Sequence, residues 1–187
     1  MKTLLNLFVQ VLLVCALLLS MSCSTKTDSS KDTAEEKNDD KFATKAGEKD
    51  AQFVVTAVDN SFAIISLAKL AEEKGSKESA MRASEIIQDQ RKIMSTLEDY
   101  AAKQVISIPA SGPEKISDVQ KNLYAEPKNF DEKWCKEITA ENKKMLNAFE
   151  EYNEKTEGDL KTIIADALPT LRSHQDKLQA YKVAVND

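Results

Sequence analysis

The chain contains long stretches without glycine or proline, within which apolar residues recur at helical spacing. The stretch from Ala51 to Lys74 contains neither glycine nor proline, and Gly75 follows where a helix would end. Apolar rows follow one face of this stretch, and one of them includes Phe53, Ala57 and Ile64. Only four glycines and four prolines occur in 187 residues, which is typical of a helical protein.

Four stretches of this kind predict four long helices. They are expected at 51–74, at 76 to about 105, from Asn129 to the break at Gly158, and from that break to Val185. The second and third helices are joined by a long segment with a short predicted helix at Ile116–Ala125, whereas the other two connections are tight. Two tight pairs joined by one long crossover predict an all-α fold, the ferritin-like four-helix bundle. Pro169 is expected to kink the fourth helix because it removes a backbone donor.

The N-terminus is typical of an export signal. Lys2 precedes a short apolar core whose uninterrupted part, Val11–Leu19, is well below the ~20 residues that span a bilayer. Residues 1–22 are therefore predicted to be a lipoprotein signal peptide. Leu19-Ser20-Met21-Ser22-Cys23 resembles a bacterial lipobox, so Cys23 is predicted to carry lipid and to become the mature N-terminus. The alternative is simple cleavage near Ser22, with Cys23 a free thiol.

The cysteine count agrees with lipidation. Cys15 lies in the removed segment, so with lipid on Cys23 only Cys135 remains and no intramolecular disulfide can form. The following residues are rich in Ser, Thr, Lys, Asp and Glu, and 23–49 are predicted to form the lipidated Cys and a disordered tether. Residues 50–187 are then the bundle domain, held by its lipid at a membrane of the cell envelope, the outer membrane being expected.

Each predicted helix has a row of apolar residues along one face, and one position in each row is polar. These positions are Asn60, Gln90, Asn142 and His174. Each lies about 15 to 17 residues, or roughly 23 Å, from its nearest tight turn. Antiparallel pairing therefore brings Asn60 level with Gln90, and Asn142 level with His174. The sequence predicts a polar layer in the core, and counting alone leaves open whether the two pairs share one level.

Composition excludes several classes of function. The formal net charge is −5, with 26 Lys and Arg against 31 Asp and Glu, which argues against a nucleic-acid partner. One histidine and the absence of a Gly-rich loop exclude most catalytic and nucleotide signatures. No cofactor is predicted.

The segment from Ala51 to about Lys182 resembles a bacterial family of exported, ferritin-like domains of unknown function, often described as outer membrane proteins. The resemblance is carried by Ser66–Ala71, Ala83–Gln90, Phe130-Asp131 followed by Trp134, and Leu168-Pro169 to His174. It implies an acidic residue on the first helix and His on the other three, a set that looks like metal ligands.

This chain departs from that implied set at most positions. The acidic position falls at Ile64, or at Asn60 one turn earlier; the second-helix His becomes Gln90 and the third-helix His becomes Asn142. His174 alone remains, and the position three residues before it is Leu171 rather than the Glu of a di-iron site. Amides are poor ligands for transition metals, so no metal is predicted, His174 being the weak candidate ligand. A hydrogen-bonded layer that fixes helix register is the favoured interpretation.

Other candidate residues have simpler explanations. Cys135 is interpreted as a small core residue, and Glu85 with Asp89, one turn apart, as surface carboxylates. The leading hypothesis is a lipid-anchored, non-catalytic bundle that binds an envelope partner or has a structural role. The alternatives are a metal-binding or redox protein that uses His174, and a carrier of a small apolar ligand in the bundle core.

Overall fold

The computed structural model describes residues 29–39, 41–42, 44–112, 114–125 and 127–184. Over these residues all regular structure is helical, which confirms the predicted all-α class. The helices are α1 (Ser30–Asp39), α2 (Lys45–Lys74), α3 (Lys77–Gln104), α4 (Glu114–Ala125), α5 (Phe130–Asn153) and α6 (Gly158–Ala184), with a short 3-10 turn at Pro127–Asn129. The predicted signal peptide, residues 1–22, and Cys23 lie outside the described residues.

Side-chain caps set several of the helix ends. The Thr44 hydroxyl accepts from Gly47 N at the start of α2, and the Ser76 hydroxyl accepts from Ser79 N at the start of α3. Helix α3 is capped at its C-terminus by Val105, which adopts the left-handed conformation with φ 58°. This conformation is unfavourable for a β-branched residue. The α6 helix continues through Pro169.

The four long helices form a bundle in which packed neighbours are antiparallel. Helix α2 lies beside α3 and α5, and α6 lies beside α5 and α3. In the α2–α5 pair, Trp134 Nε1 donates to Leu67 O (2.9 Å), while Phe53 meets Phe149 at a ring-centroid distance of 5.1 Å. Since numbering rises along one helix as it falls along the other, the two helices are antiparallel.

Because α3 and α5 are both antiparallel to α2, they run in the same direction. The segment that joins them, residues 105–129, must therefore return along the length of the bundle. Its helix α4 packs against α2 and α5, where Gln120 Nε2 donates to Ser66 O (3.1 Å). The loop before α4 passes so close to α2 that a Cβ on Gly112 would lie 2.9 Å from the Phe62 Cβ.

Part of the predicted tether is folded, so the prediction of disorder is wrong for those residues. Ser30–Asp39 form α1, which packs against α2 and buries Ala34 and Asn38. Helix α2 also begins at Lys45 instead of Ala51. The polar composition of this segment does not predict its folding, because α1 is held largely by polar side chains. The chief of these is Asn38, whose amide bonds Ser107 N and O at 2.8 Å each.

The core is continuous along the four long helices. Its largest fully buried side chains are Trp134, Phe149, Ile64, Leu67, Leu97, Ile138, Met145, Leu160, Ile164, Leu171, Leu178 and His174. Among the described residues, α2 is the one helix long and apolar enough to cross a membrane by length and composition. Of the window that meets this test, 78% is buried inside the bundle, as in a core helix.

Candidate functional site

Four polar side chains lie in the bundle core, one on each long helix. Asn60, Gln90, Asn142 and His174 are 2%, 0%, 1% and 2% exposed. Such burial is costly for polar groups unless they are hydrogen-bonded. These are the polar seam residues that the sequence singles out.

Contacts between α2 and α5 place Asn60 and Asn142 at one level. Asn60 is seven residues from both Leu67 and Phe53, and Asn142 is eight residues from Trp134 and seven from Phe149. Those flanking residues contact one another in pairs, Leu67 with Trp134 and Phe53 with Phe149. At 1.5 Å per residue, both asparagines lie about 11 Å from each flanking contact.

Hydrogen bonds to α6 bring the other two residues to the same level. Asn142 Nδ2 donates to Leu171 O (3.1 Å) and to Gln175 Oε1 (3.0 Å). Leu171 lies three residues before His174 and Gln175 directly follows it. His174 Nε2 lies 2.9 Å from Asp89 Oδ2, and Asp89 is the neighbour of Gln90. The pair Asn60 and Gln90 and the pair Asn142 and His174, whose relative level the sequence leaves open, therefore share one layer, which we call the polar layer.

The bond to Asp89 determines how His174 presents its ring. A carboxylate only accepts, so Nε2 carries the proton, and in the neutral imidazole Nδ1 is an acceptor. The Asp89 side chain is 37% exposed while that of His174 is 2% exposed, so the pair links the core to the surface. His174 Nδ1 is buried and has no hydrogen-bond partner among the described residues.

Other atoms of the polar layer are also buried without a hydrogen-bond partner in the described part of the chain. Buried atoms without a protein partner include Asn60 Nδ2, Gln90 Nε2, Gln90 Oε1 and Asn142 Oδ1. Both donors and acceptors are present, so the layer is suited to hydrogen bonding. It carries no full charge of its own apart from the outward-facing Asp89.

The donor set does not fit the metal site that the family resemblance implies. No group of three or more His, Cys, Asp or Glu able to hold a metal ion occurs among the described residues. The layer offers one imidazole and three amides, and amides are poor transition-metal ligands. Two carboxylates of α3 near this level already have partners, Glu85 with Lys177 and Asp89 with His174.

Cys135 is placed as a core residue. It is 0% exposed, and its Sγ lies 3.5 Å from Leu178 O and 3.9 Å from Thr139 Oγ1. Burial raises the pKa of the thiol, although the bond to Thr139 acts in the opposite direction. A buried thiol with a raised pKa is a poor nucleophile.

The sequence interpretation missed two partners in the layer, Asp89 and Gln175. From the sequence, Asp89 is interpreted together with Glu85 as a surface carboxylate. Its position next to Gln90 is the sequence signal that could have indicated a place at the level of the polar layer. Gln175, 7% exposed, follows His174 in the sequence, but nothing in the apolar pattern indicates that it bonds Asn142. Only the packing of α5 against α6 reveals that pair.

These features define an all-helical bundle with a buried polar layer. The chain belongs to the family described as a domain of unknown function, DUF4142, whose sequence model matches residues 31–181. The match begins within α1, in agreement with the folding of that helix onto the bundle. No curated protein and no solved structure matches the chain.

Proposed function

We propose that this chain is a lipid-anchored, ferritin-like bundle of the bacterial cell envelope with a non-catalytic binding or structural role. The observation that carries the non-catalytic role is the state of the polar layer. Its single histidine is bonded to Asp89, and the layer brings together amides instead of carboxylates. Such groups fix helix register, since each bond is satisfied at only one alignment of the helices.

The ferritin-like assignment is supported by the direction of the helices. Every packed pair of long helices is antiparallel, and the long connection lies between α3 and α5. Bundles of the ferritin-like type have one such crossover. The polar layer lies midway along this arrangement, where its hydrogen bonds align α3 and α5 with α6.

The proposed anchor is lipid on Cys23. Since α1 begins at Ser30, six residues separate the anchor from α1, and the seven Cα–Cα steps between them span at most about 25 Å. This reach is much shorter than that of a tether ending at residue 49, so the bundle would be held close to the membrane surface. Two or more acyl chains are needed for stable anchoring.

The experiment that tests this proposal is metabolic labelling with an alkyne fatty acid followed by membrane fractionation. We expect the wild-type chain to be labelled and membrane-bound. Cys23→Ala should be unlabelled and released into the soluble fraction. Ser22→Ala, which keeps the cysteine, is the matched control and should still be labelled. Full membrane association of Cys23→Ala would contradict the anchor.

The second candidate function is metal binding or redox chemistry at His174. It is favoured by the Asp89–His174 bond, because metal-bound histidines usually donate their other ring N–H to a carboxylate. Elemental analysis of the purified chain decides between the two roles. One tightly held transition ion per chain, lost in His174→Gln, would replace the structural role with this one.

A carrier of apolar ligands is the third candidate. The grooves found between described residues lie at the surface and include charged side chains in their linings. They give this role no support.

A further inference from the structure

The seam between α3 and α6 is bridged along one half of its length. At one end the Tyr181 hydroxyl bonds that of Ser79 (2.8 Å), and Arg82 lies over the Tyr181 ring. A turn further on, Lys177 pairs with Glu85. The last bridge is the bond between His174 and Asp89, at the level of the polar layer.

Beyond the polar layer the same seam is open. One groove of about 410 Å³ begins at Asp89 and Thr170, and a second of about 310 Å³ extends to Lys103 and Asp159. The two share Thr96 and Ile163 in their linings, so they form one continuous surface, which we call the α3–α6 groove. From Asp89 to Lys103 this groove is about 21 Å long at 1.5 Å per residue.

The floor of the α3–α6 groove is apolar and its rim is acidic. Ile93, Tyr100 and Ala167 are 7%, 9% and 7% exposed and form part of its lining. The charged rim residues are Asp89, Asp99, Asp159 and Asp166 against Lys92 and Lys103. Carboxylates therefore outnumber ammonium groups by two.

Most of these rim carboxylates have no protein partner. The carboxylates of Asp99, Asp159 and Asp166 make no hydrogen bond or ion pair within the described part of the chain, whereas that of Asp89 bonds His174. The α3–α6 register places Lys103 and Asp159 at a similar level across the seam, but they do not pair. The acidic groups thus remain available to a ligand.

We propose that the α3–α6 groove binds a cationic amphipathic helix of a partner protein. The apolar floor would accept the apolar stripe of that helix, and the unpaired carboxylates would meet Lys or Arg at its flanks, as in other helix-in-groove complexes. The length of the groove corresponds to about 14 residues, or four turns. This inference rests on the binding role proposed above and names its partner class.

A second copy of this chain is the less favourable occupant. Apposed copies of the groove would bring the unpaired carboxylates of both rims together, and the whole chain carries a net charge of −5. Like charges that face each other across an interface oppose association. Charge complementarity therefore selects a basic partner.

The test is a titration of the full chain, purified from membranes in detergent, with a labelled helical peptide of about 16 residues that has a leucine stripe flanked by lysines. A scrambled peptide of the same composition removes the amphipathic face. The groove variant is Asp99→Lys with Asp166→Lys, and the matched control is Glu72→Lys with Glu151→Lys. Both control residues are exposed and lie outside the groove lining.

We expect saturable binding of the designed peptide and binding at least about tenfold weaker for the scrambled peptide. The groove variant should weaken binding about tenfold, because reversing two rim charges changes the interaction by roughly 1.4 kcal/mol. The control variant, which has the same net charge, should change it less than about twofold. Far-UV circular dichroism checks that both variants remain helical.

Three outcomes would overturn the proposal: no saturable binding, equal effects of the groove and control variants, or sedimentation showing dimers that the groove variant dissociates. The last would assign the groove to a second copy. The Cys23→Ala fractionation reports on the anchor and this titration reports on the groove, so either can fail without the other.

Discussion

Asp59 is a buried carboxylate that the apolar pattern of α2 does not anticipate. It precedes Asn60, is 7% exposed, and its Oδ1 has no hydrogen-bond partner among the described residues. Burial raises its pKa above 3.8, and Glu35 and Glu141 act in the same direction. Lys31 and Lys144 oppose the shift without cancelling it. This residue therefore destabilises the bundle when ionised.

The effect of Asp59 on the stability of the bundle depends on pH, and the sign of this dependence follows from proton binding. Because the native pKa exceeds the unfolded value, the native state holds its proton to higher pH, and stability falls as pH rises through that interval. We expect Asp59→Asn to raise the urea midpoint near pH 7 and to change it little near pH 4. Asp176→Asn, at an exposed site on α6, is the control. A lower midpoint for Asp59→Asn at neutral pH would show that the carboxylate is favourably paired.

His174 and Asn142 are expected to differ in their contributions to stability. His174→Leu leaves Asp89 without its partner, but that side chain is 37% exposed and can bond water. The free energy of unfolding should fall by about 1–2 kcal/mol. Asn142→Leu should cost about 2–3 kcal/mol, because it leaves the amide oxygen of Gln175, 7% exposed, without a donor.

Chemical denaturation measures both variants, and Asp89→Asn is the control for the histidine pair. Its amide oxygen can still accept from Nε2, so it should be less destabilising than His174→Leu. Unfolding of the bundle by His174→Leu would show that this residue, rather than Asn142, holds the polar layer together.

At the scale of elements, α1 is attached by a small set of polar contacts. The Asn38 amide bonds Ser107, the Lys41 ammonium group donates to Ser107 Oγ (2.7 Å), and the Ser30 hydroxyl accepts from Ala110 N (2.7 Å). A ten-residue helix is marginal in isolation. Helix α1 should therefore open more readily than the bundle to which it is attached.

Replacement of Asn38 tests this attachment. Asn38→Ala removes both bonds to Ser107, and we expect the α1 amides to exchange with deuterium about tenfold faster, since roughly 1–2 kcal/mol of local stability is lost. Amides of α2 to α6 should be unchanged. Asp39→Ala, at the exposed neighbouring position, should have no such effect. Equal exchange in Asn38→Ala and wild type would mean that other contacts hold α1.

The long helices were predictable from sequence because their signals are local. Gly75 and Gly158 mark the two tight connections, and the region after Pro109 marks the crossover. Helix α1 was not predictable, because its only buried apolar residue is Ala34 and its attachment depends on a loop far along the chain. Similarly, the polar layer residues were visible as breaks in apolar rows, whereas the partners of Asn142 and His174 depend on tertiary packing.

At the scale of the molecule, one residue reports on several helices. Trp134 is the only tryptophan in the chain and is fully buried. Its indole N–H is bonded to Leu67 O of α2, and its ring packs edge-to-face with Tyr181 of α6 at 6.5 Å. Its fluorescence therefore senses α2, α5 and α6 together.

Because the four long helices share one core and one polar layer, we expect them to unfold together. Apart from an early, small loss of helicity from α1, urea curves followed by Trp134 fluorescence and by far-UV circular dichroism should show the same main transition, as for a two-state domain. Asn38→Ala should leave the fluorescence midpoint nearly unchanged, since α1 lies outside the contacts of Trp134. Fluorescence that changes well before helicity is lost would show that the two helix pairs separate first, and the polar layer would then not couple them.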